Sequence, residues 1–175
     1  MRQVLYRVAS SVDGYISGPD GEIDWIVHDP TANFSAVYDG VDTVLLGRRT
    51  YELTQQPGAP PWPMGWRIYV FSRTLVPKPH PAVTIVSEDA GRIVAGLRAG
   101  RGKEVWLFGG AGLFRSLLAA KQVDIIELAV SPVLLGGGTP LVEVGAPSTR
   151  LSLVDSGSLP SGVVTLRYEV RYAAT

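Results

Sequence analysis

The 175-residue chain contains no cysteine, which excludes a disulfide, a thiolate nucleophile and a cysteine-ligated zinc or iron–sulfur centre. The simplest setting for such a chain is a reducing compartment, the cytoplasm. Histidine is nearly as scarce. His28 and His80 are the only two, and His80 sits in Pro77-Lys78-Pro79-His80-Pro81, a rigid extended loop, so no metal site is expected. An excess of one charge sign is missing as well: 16 Lys and Arg balance 16 Asp and Glu, with no run of like charge. That evenness argues against nucleic acid or an anionic membrane as a partner. No window approaches the ~18 uninterrupted apolar residues of a spanning helix. Even residues 123–135 are interrupted by Asp124, Glu127 and Pro132. The N-terminus alternates polar and apolar residues instead of presenting an apolar targeting core, and therefore reads as mature sequence.

The residues present describe a globular domain. Apolar residues make up 46% of the chain and charged residues 18%, the reverse of the balance that keeps a chain disordered. A chain of this length can bury roughly 70% of its extended surface, and one domain spanning residues 1–175 is the expectation.

Apolar patterning predicts strands at 4–8, 43–46, 67–71, 83–86, 104–108 and 125–130. Helices are predicted from Asp29-Pro30-Thr31 through Phe34, Val37 and Tyr38, from Arg48 to about Thr54, over 88–99 with Ser87 as N-cap, and over 113–120. Strands alternating with helices imply crossover connections and a largely parallel sheet. After Pro132 the pattern changes, because 151–154 and 163–172 flank a Ser-Gly-Pro turn and read as an antiparallel hairpin. The four tryptophans, Trp25, Trp62, Trp66 and Trp106, are core or interface residues by default. Trp62 and Trp66 lie in a proline-rich loop, where roofing a planar substrate is the alternative role.

Two strand-to-helix junctions carry the candidate chemistry. At Leu45-Leu46-Gly47-Arg48-Arg49-Thr50 an apolar strand ends in glycine, and the helix after it opens with two arginines and a threonine. Glycine permits close backbone approach, and the guanidinium fork suits phosphate. At Leu107-Phe108-Gly109-Gly110-Ala111-Gly112-Leu113-Phe114 three glycines in four positions precede a second helix, where backbone N–H groups can lie against a diphosphate. Close strand-to-helix packing is the alternative explanation of these glycines. The second junction is not a Rossmann fingerprint, since Arg115 stands where the third glycine is required. No Gly-Lys-Ser/Thr and no Gly-x-Ser-x-Gly occurs, so P-loop and serine-hydrolase chemistry have no support.

The ordered set Ser11-Val12-Asp13-Gly14-Tyr15-Ile16, Asp24-Trp25, Leu46-Gly47-Arg48-Arg49-Thr50-Tyr51-Glu52, Phe71-Ser72-Arg73, Phe108-Gly109-Gly110-Ala111-Gly112-Leu113-Phe114 and Leu134-Leu135-Gly136-Gly137-Gly138-Thr139-Pro140-Leu141 resembles the dihydrofolate reductase superfamily. It resembles the branch containing the C-terminal reductase domain of riboflavin-biosynthesis deaminase-reductases more than it resembles the true folate enzymes. The resemblance implies an α/β, dihydrofolate-reductase-like three-layer fold, with a mostly parallel central sheet, helices on both faces and a C-terminal antiparallel hairpin. It also implies a cytoplasmic NADPH-dependent reductase that transfers a hydride to a small heterocyclic or carbonyl substrate. The alternatives are 5-amino-6-(5-phosphoribosylamino)uracil reductase of riboflavin biosynthesis and a non-catalytic NADPH-binding or sensor protein. In such proteins Gly47, Arg48, Arg49 and Thr50, with Gly109, Gly110, Ala111, Gly112, Leu113 and Phe114, would hold the cofactor's diphosphate region. Arg48, Ser72 and Arg73 would meet the 2′-phosphate, and Ala9 and Ile16 would line the nicotinamide. A homodimer is implied too, since reductase domains of that branch pair.

On the substrate side, matching Trp25 and Phe34 to the family's tryptophan and phenylalanine makes them substrate-binding residues and puts Pro30 at the acidic position, with Asp29 adjacent. Asp29 and Asp24 are the candidate catalytic carboxylates. A general acid beside the reacting ring needs a pKa raised by desolvation. At a helix start the macrodipole would push that of Asp29 down, which favours Asp24.

Overall fold

Residues 44–46 form an uninterrupted apolar run, Val-Leu-Leu, and the strand that carries them, β3 (Val41–Gly47), has all three fully buried. The computed structural model describes residues 1–32, 38–76, 80–143, 146 and 148–172. Contacts divide the chain into two compact units, one of residues 1–6 and 34–123, the other of residues 7–33 and 124–175.

In the first unit β3 is flanked by β4 (Arg67–Phe71) and β6 (Glu104–Gly109), with β5 (Val83–Val86) beyond β4 and the start of β1 (Val4–Ser11) beyond β6. Every one of these pairs is parallel. The connections supply α1 (Arg48–Leu53), α2 (Ala90–Ala99) and α3 (Ala111–Ala119). Paired residues share a face. On the face of Tyr6 and Leu107, α3 buries Leu113, Phe114 and Leu117, and the Tyr6 ring stacks on Phe114 with centroids 4.0 Å apart. Burial pushes the Tyr6 phenol well above its ordinary pKa, so it stays neutral.

The opposite face carries Val44, Leu46, Ile68, Val70 and Trp106, covered by Trp66 and the partly buried Trp62. Trp62 meets Phe108 edge-on at 5.5 Å, and Trp66 meets Trp106 edge-on at 6.2 Å. Both tryptophans of the proline-rich loop are therefore committed to the core rather than to a roof over a substrate.

At the strands' N-terminal edge the buried Arg2 donates to the Lys103 carbonyl, to Thr43 Oγ1 at 2.8 Å and to Asp42, which also accepts the Lys103 N–H at 2.9 Å. Burial opposes ionisation of Asp42, but the bonds from Thr43 and Lys103 and the charges of Arg2 and Arg67 prevail and lower its pKa.

The second unit holds an antiparallel arrangement of β7 (Ile125–Ser131), β10 (Val164–Arg171) and β9 (Arg150–Ser158), in the order β7-β10-β9. The expected C-terminal hairpin is thus present, with a bulge opposite Arg167/Tyr168. A short ribbon pairs β2 (Tyr15–Ser17) with β8 (Thr139–Pro140). Among the described residues no helix is long and apolar enough to cross a membrane.

Several boundaries differ from the sequence expectation, among them β9, which runs to Ser158 and takes in residues 156–158 expected in the turn. Helix α2 is capped by Asp89, whose Oδ1 accepts the Arg92 N–H at 2.8 Å, and not by Ser87. Helix α3 begins two residues early because Gly110, extended at φ −84° and ψ 159°, takes the N-cap position. Strand β1 runs on to Ser11. The helix expected from Asp29 falls largely on residues 33–37, outside the described residues, and at 30–31 the chain makes a turn.

Candidate cofactor site

Register puts the two glycine junctions side by side. Leu46 pairs with Gly109 across β3 and β6, and Gly47 pairs with Phe71 across β3 and β4. The chain therefore leaves the sheet at Arg48, Ser72 and Gly110 along one edge, the carboxyl edge where open parallel sheets take their ligands. The Gly109–Gly110 peptide is cis. A Cβ built on Gly47 would stand 3.8 Å from Gly109 O and Gly110 N.

The glycines separate by cause. A Cβ on Gly109 or Gly110 would come within 3.3 Å of the Thr50 side chain, so packing against Thr50 accounts for those two. Gly112 is exposed in the first turn of α3, and a Cβ there would meet nothing within 4 Å. Packing does not require glycine at 112, whereas close approach by a ligand does. The N–H groups of Ala111, Gly112 and Leu113 lie in the first turn, where α-helical geometry provides no partner. That of Phe114 is taken by the Gly110 carbonyl at 3.0 Å. Phe114 and Leu113 are buried and anchor the helix from below.

Cationic groups stand along the same edge. Arg48 is exposed and bonds Glu52 one turn along α1 at 2.9 Å. Arg49 and Arg73 are exposed and form no ion pair among the described residues. The Ser72 hydroxyl oxygen accepts the N–H of Thr74 at 3.2 Å and of Leu75 at 2.9 Å, which fixes the turn that displays Arg73 and leaves the hydroxyl proton to donate. With only six residues, α1 has little dipole of its own, so at this junction the side chains carry the field.

The remaining candidates belong to the second unit. Ala9 in β1 and Ile16 in β2 are half-buried. Asp24 is exposed, and Trp25 beside it donates Nε1–H to the Glu22 carbonyl at 3.1 Å. Asp29 is 6% exposed and fully engaged: it accepts the Thr31 N–H at 2.8 Å, the Thr31 hydroxyl and the Ser161 N–H at 2.9 Å. The Ser161 side chain, the Thr31 hydroxyl and these two N–H groups hold its carboxyl below the usual range. The depression foreseen for Asp29 is present, produced by hydrogen bonds. Phe34 lies outside the described residues.

One carboxylate had a larger part than sequence reasoning assigned it. Asp13, whose Asp-Gly pair by itself indicates only turn chemistry, accepts the Ser11 hydroxyl at 2.6 Å and the N–H groups of Leu135 at 3.1 Å and Gly136 at 2.7 Å. It thereby ties the Ser11–Tyr15 turn to the glycine-rich 134–138 segment. The signal was the coexistence of Asp13-Gly14 with a glycine run too dense for a strand, but nothing local says that the two meet. The bond from Ser11 and those from Gly136 and Leu135 hold the Asp13 pKa at about 2 against an ordinary 3.8. A depressed carboxylate contributes stability that is complete above its unfolded pKa and is lost as pH falls through the folded value. Thermal melts are therefore expected to show Asp13→Asn below the wild type at pH 7, with the two curves converging between about pH 4 and pH 2. A gap that persists unchanged at pH 2 would assign the effect to something other than this charge.

The parallel sheet, the antiparallel hairpin and the paired glycine turns at the carboxyl edge define an α/β protein of the dihydrofolate-reductase-like, reductase-type class. The chain belongs to the RibD C-terminal domain family, which it matches over residues 2–165. It is 31% identical over 178 residues to the uncharacterized protein YyaP of Bacillus subtilis (strain 168), covering 95% of this chain and 94% of YyaP. Among solved structures, a Shewanella sp. PV-4 protein assigned to riboflavin biosynthesis superposes with a TM-score of 0.81 at 25% identity, covering 97% and 99% of the two chains. Dihydrofolate reductase from Enterococcus faecalis, complexed with NADP(H), superposes with a TM-score of 0.68 at 19% identity over 97% of each chain, a likeness of fold.

Proposed function

We propose that this chain is an NADPH-dependent reductase that transfers a hydride to a small heterocyclic or carbonyl substrate. The observation that carries the reading is the adjacency of the two glycine junctions, with the bare backbone of Gly112 at a helix start and arginines along the same edge. The donor set fits a dinucleotide phosphate. The N–H groups of Ala111, Gly112 and Leu113 would face the diphosphate, Thr50 would brace the Gly109-Gly110 turn, and Arg48, Ser72 and Arg73 would meet the 2′-phosphate. Bound NADPH would supply the hydride.

The chain's own contribution is binding, orientation and a proton. Of the two candidate carboxylates, Asp29 is spent on Thr31 and Ser161, while Asp24 is exposed and forms no hydrogen bond among the described residues. Asp24 is therefore the group free to orient a substrate; exposed as it stands, it gains the desolvation that a general acid needs only once a substrate covers it. The reading places the protein in the cytoplasm, acting on a small molecule, without nucleic acid or membrane. The family to which the chain belongs favours a pyrimidine-type heterocycle of riboflavin biosynthesis as the first substrate to assay.

Gly112→Ala separates binding from folding by sign. Removing a glycine from a helix stabilises by about 0.5–1 kcal/mol, a rise of roughly 1–4 °C in melting temperature for a chain of this size. The same methyl group would stand between the α3 amides and the diphosphate, so NADPH affinity in calorimetry is expected to fall at least about tenfold. Unchanged affinity in a stabilised variant, or no NADPH binding by the wild type, would overturn the reading.

A further inference from the structure

The residues that follow β1 are closed against the glycine-rich stretch 133–141 along their length. The Val12 N–H donates to the Val133 carbonyl at 2.9 Å, and the Leu141 N–H donates to the Gly14 carbonyl at 2.8 Å. Between these ties Asp13 takes the N–H groups of Leu135 and Gly136, while Tyr15 pairs with Pro140 and Ser17 with Thr139. Ser11 locks the near side: its hydroxyl oxygen accepts the Tyr15 N–H at 2.9 Å, and its proton goes to Asp13. At the far end Gly138 adopts φ +124°, and a Cβ there would collide with the Ser17 carbonyl oxygen and stand 2.8 Å from the Gly18 carbonyl carbon. Backbone laid on backbone at such a φ requires glycine. Gly137 is under no such demand, since a Cβ there would meet only Pro19, at 4.0 Å. Every residue of this clasp belongs to the second unit.

The clasp does little for a core. Val12 is 61% exposed and Leu134 72%, so what the bonds fix is the position of the short strand between them, with the half-buried Ile16 at its centre. We propose that Asp13 and Gly138 are positioning residues that hold Ile16 as a preformed wall for the nicotinamide half of the cofactor. This deepens the NADPH reading and rests on it, in that the resemblance places Ala9 and Ile16 along the nicotinamide. Hydride transfer needs the ring held in a near-attack geometry, and a displacement of about 1 Å there can cost on the order of 10²-fold in rate. A wall set before the ligand arrives also avoids the ordering that a loose loop would lose on binding. Asp13 and Gly138 act through Ile16 and need no contact with the cofactor.

The test uses the full chain and two ligands in calorimetry: NADPH, and 2′-monophosphoadenosine 5′-diphosphoribose, which is NADPH without its nicotinamide. The wild type is expected to bind NADPH at least about tenfold more tightly than the truncated ligand. Asp13→Asn, whose amide accepts on one side only, and Gly138→Ala, whose methyl displaces Ser17, should each narrow that gap to about twofold by weakening NADPH alone. Gly137→Ala, the same change one residue away, should keep the wild-type gap. A merely structural defect would weaken both ligands together, since the truncated one carries every phosphate. Amide hydrogen exchange gives a measurement without ligand: the Val12 and Leu141 N–H groups should be protected before any cofactor is added, and should exchange faster in Asp13→Asn and Gly138→Ala. It decides the matter should those variants be too unstable for calorimetry, because protection that arises in the wild type only with NADPH overturns the preformed wall. A wild type that binds both ligands equally keeps the cofactor reading and overturns this proposal alone, whereas binding of neither removes both. Equal weakening of the two ligands in Asp13→Asn and Gly138→Ala, or a narrowed gap in Gly137→Ala, overturns it as well.

Discussion

Calorimetry at moderate salt is expected to show NADPH binding at least about tenfold more tightly than NADH, with the preference lost in Arg48→Ala/Arg73→Ala. The two cofactors differ only by the 2′-phosphate, which carries about two negative charges and accepts charge-assisted hydrogen bonds worth roughly 1.5–3 kcal/mol each. Arg73 is exposed and unpaired among the described residues, and Ser72 fixes the turn that presents it. Arg48 has to leave Glu52, but both partners are more than two-fifths exposed, and such pairs are worth about 0–1 kcal/mol. The exchange therefore costs little against the gain. Removing both arginines should weaken NADPH by the whole of that preference, at least about tenfold, and leave NADH where it was. Salt should erode the preference, since the groups are at the surface. Equal affinities in the wild type would remove the 2′-phosphate assignment, while the diphosphate assignment would still rest on Gly112.

The other large effect concerns the carboxylates. Once a substrate is found, Asp24→Asn is expected to lower turnover by roughly 10²-fold with NADPH affinity unchanged, the size of a lost general acid. Asp29→Asn is expected to act on stability instead. An amide cannot accept all the donors that Asp29 satisfies from Thr31 and Ser161, so the melting temperature should drop by several degrees while turnover per folded molecule holds. If Asp29→Asn loses turnover without losing stability and Asp24→Asn keeps it, the roles are reversed. Full activity in both variants would mean that the proton comes from water.

Several elements were legible because their cause is local. The bounds of β4 and β5, residues 67–71 and 83–86, follow from apolar runs closed by turn residues. The hairpin of β9 and β10 follows from two alternating stretches around a Ser-Gly-Pro turn. Where neighbouring residues compete for one role, local signals misled. Ser87 and Asp89 can both cap α2, and the outcome depends on which oxygen meets the Arg92 N–H. Trp62 and Trp66 in a proline-rich loop look equally suited to roof a ligand or fill a core. Only their edge-on contacts with Phe108 and Trp106 distinguish the two.

By itself the sequence determined the class: an α/β chain with two glycine junctions, basic residues after the strands, and no means for thiol, P-loop or serine-hydrolase chemistry. Those properties are written in residue type and short-range spacing. Tertiary structure alone decided which of them meet. Strand register sets Gly47 beside Gly109 and Gly110, more than 60 residues away, and brings Asp13 to Gly136 across 123 residues. It also separated Gly112, which no internal contact requires, from Gly109 and Gly110, which Thr50 does. Pairings over such distances arise when strands align their apolar faces, a global condition that no short window of sequence contains.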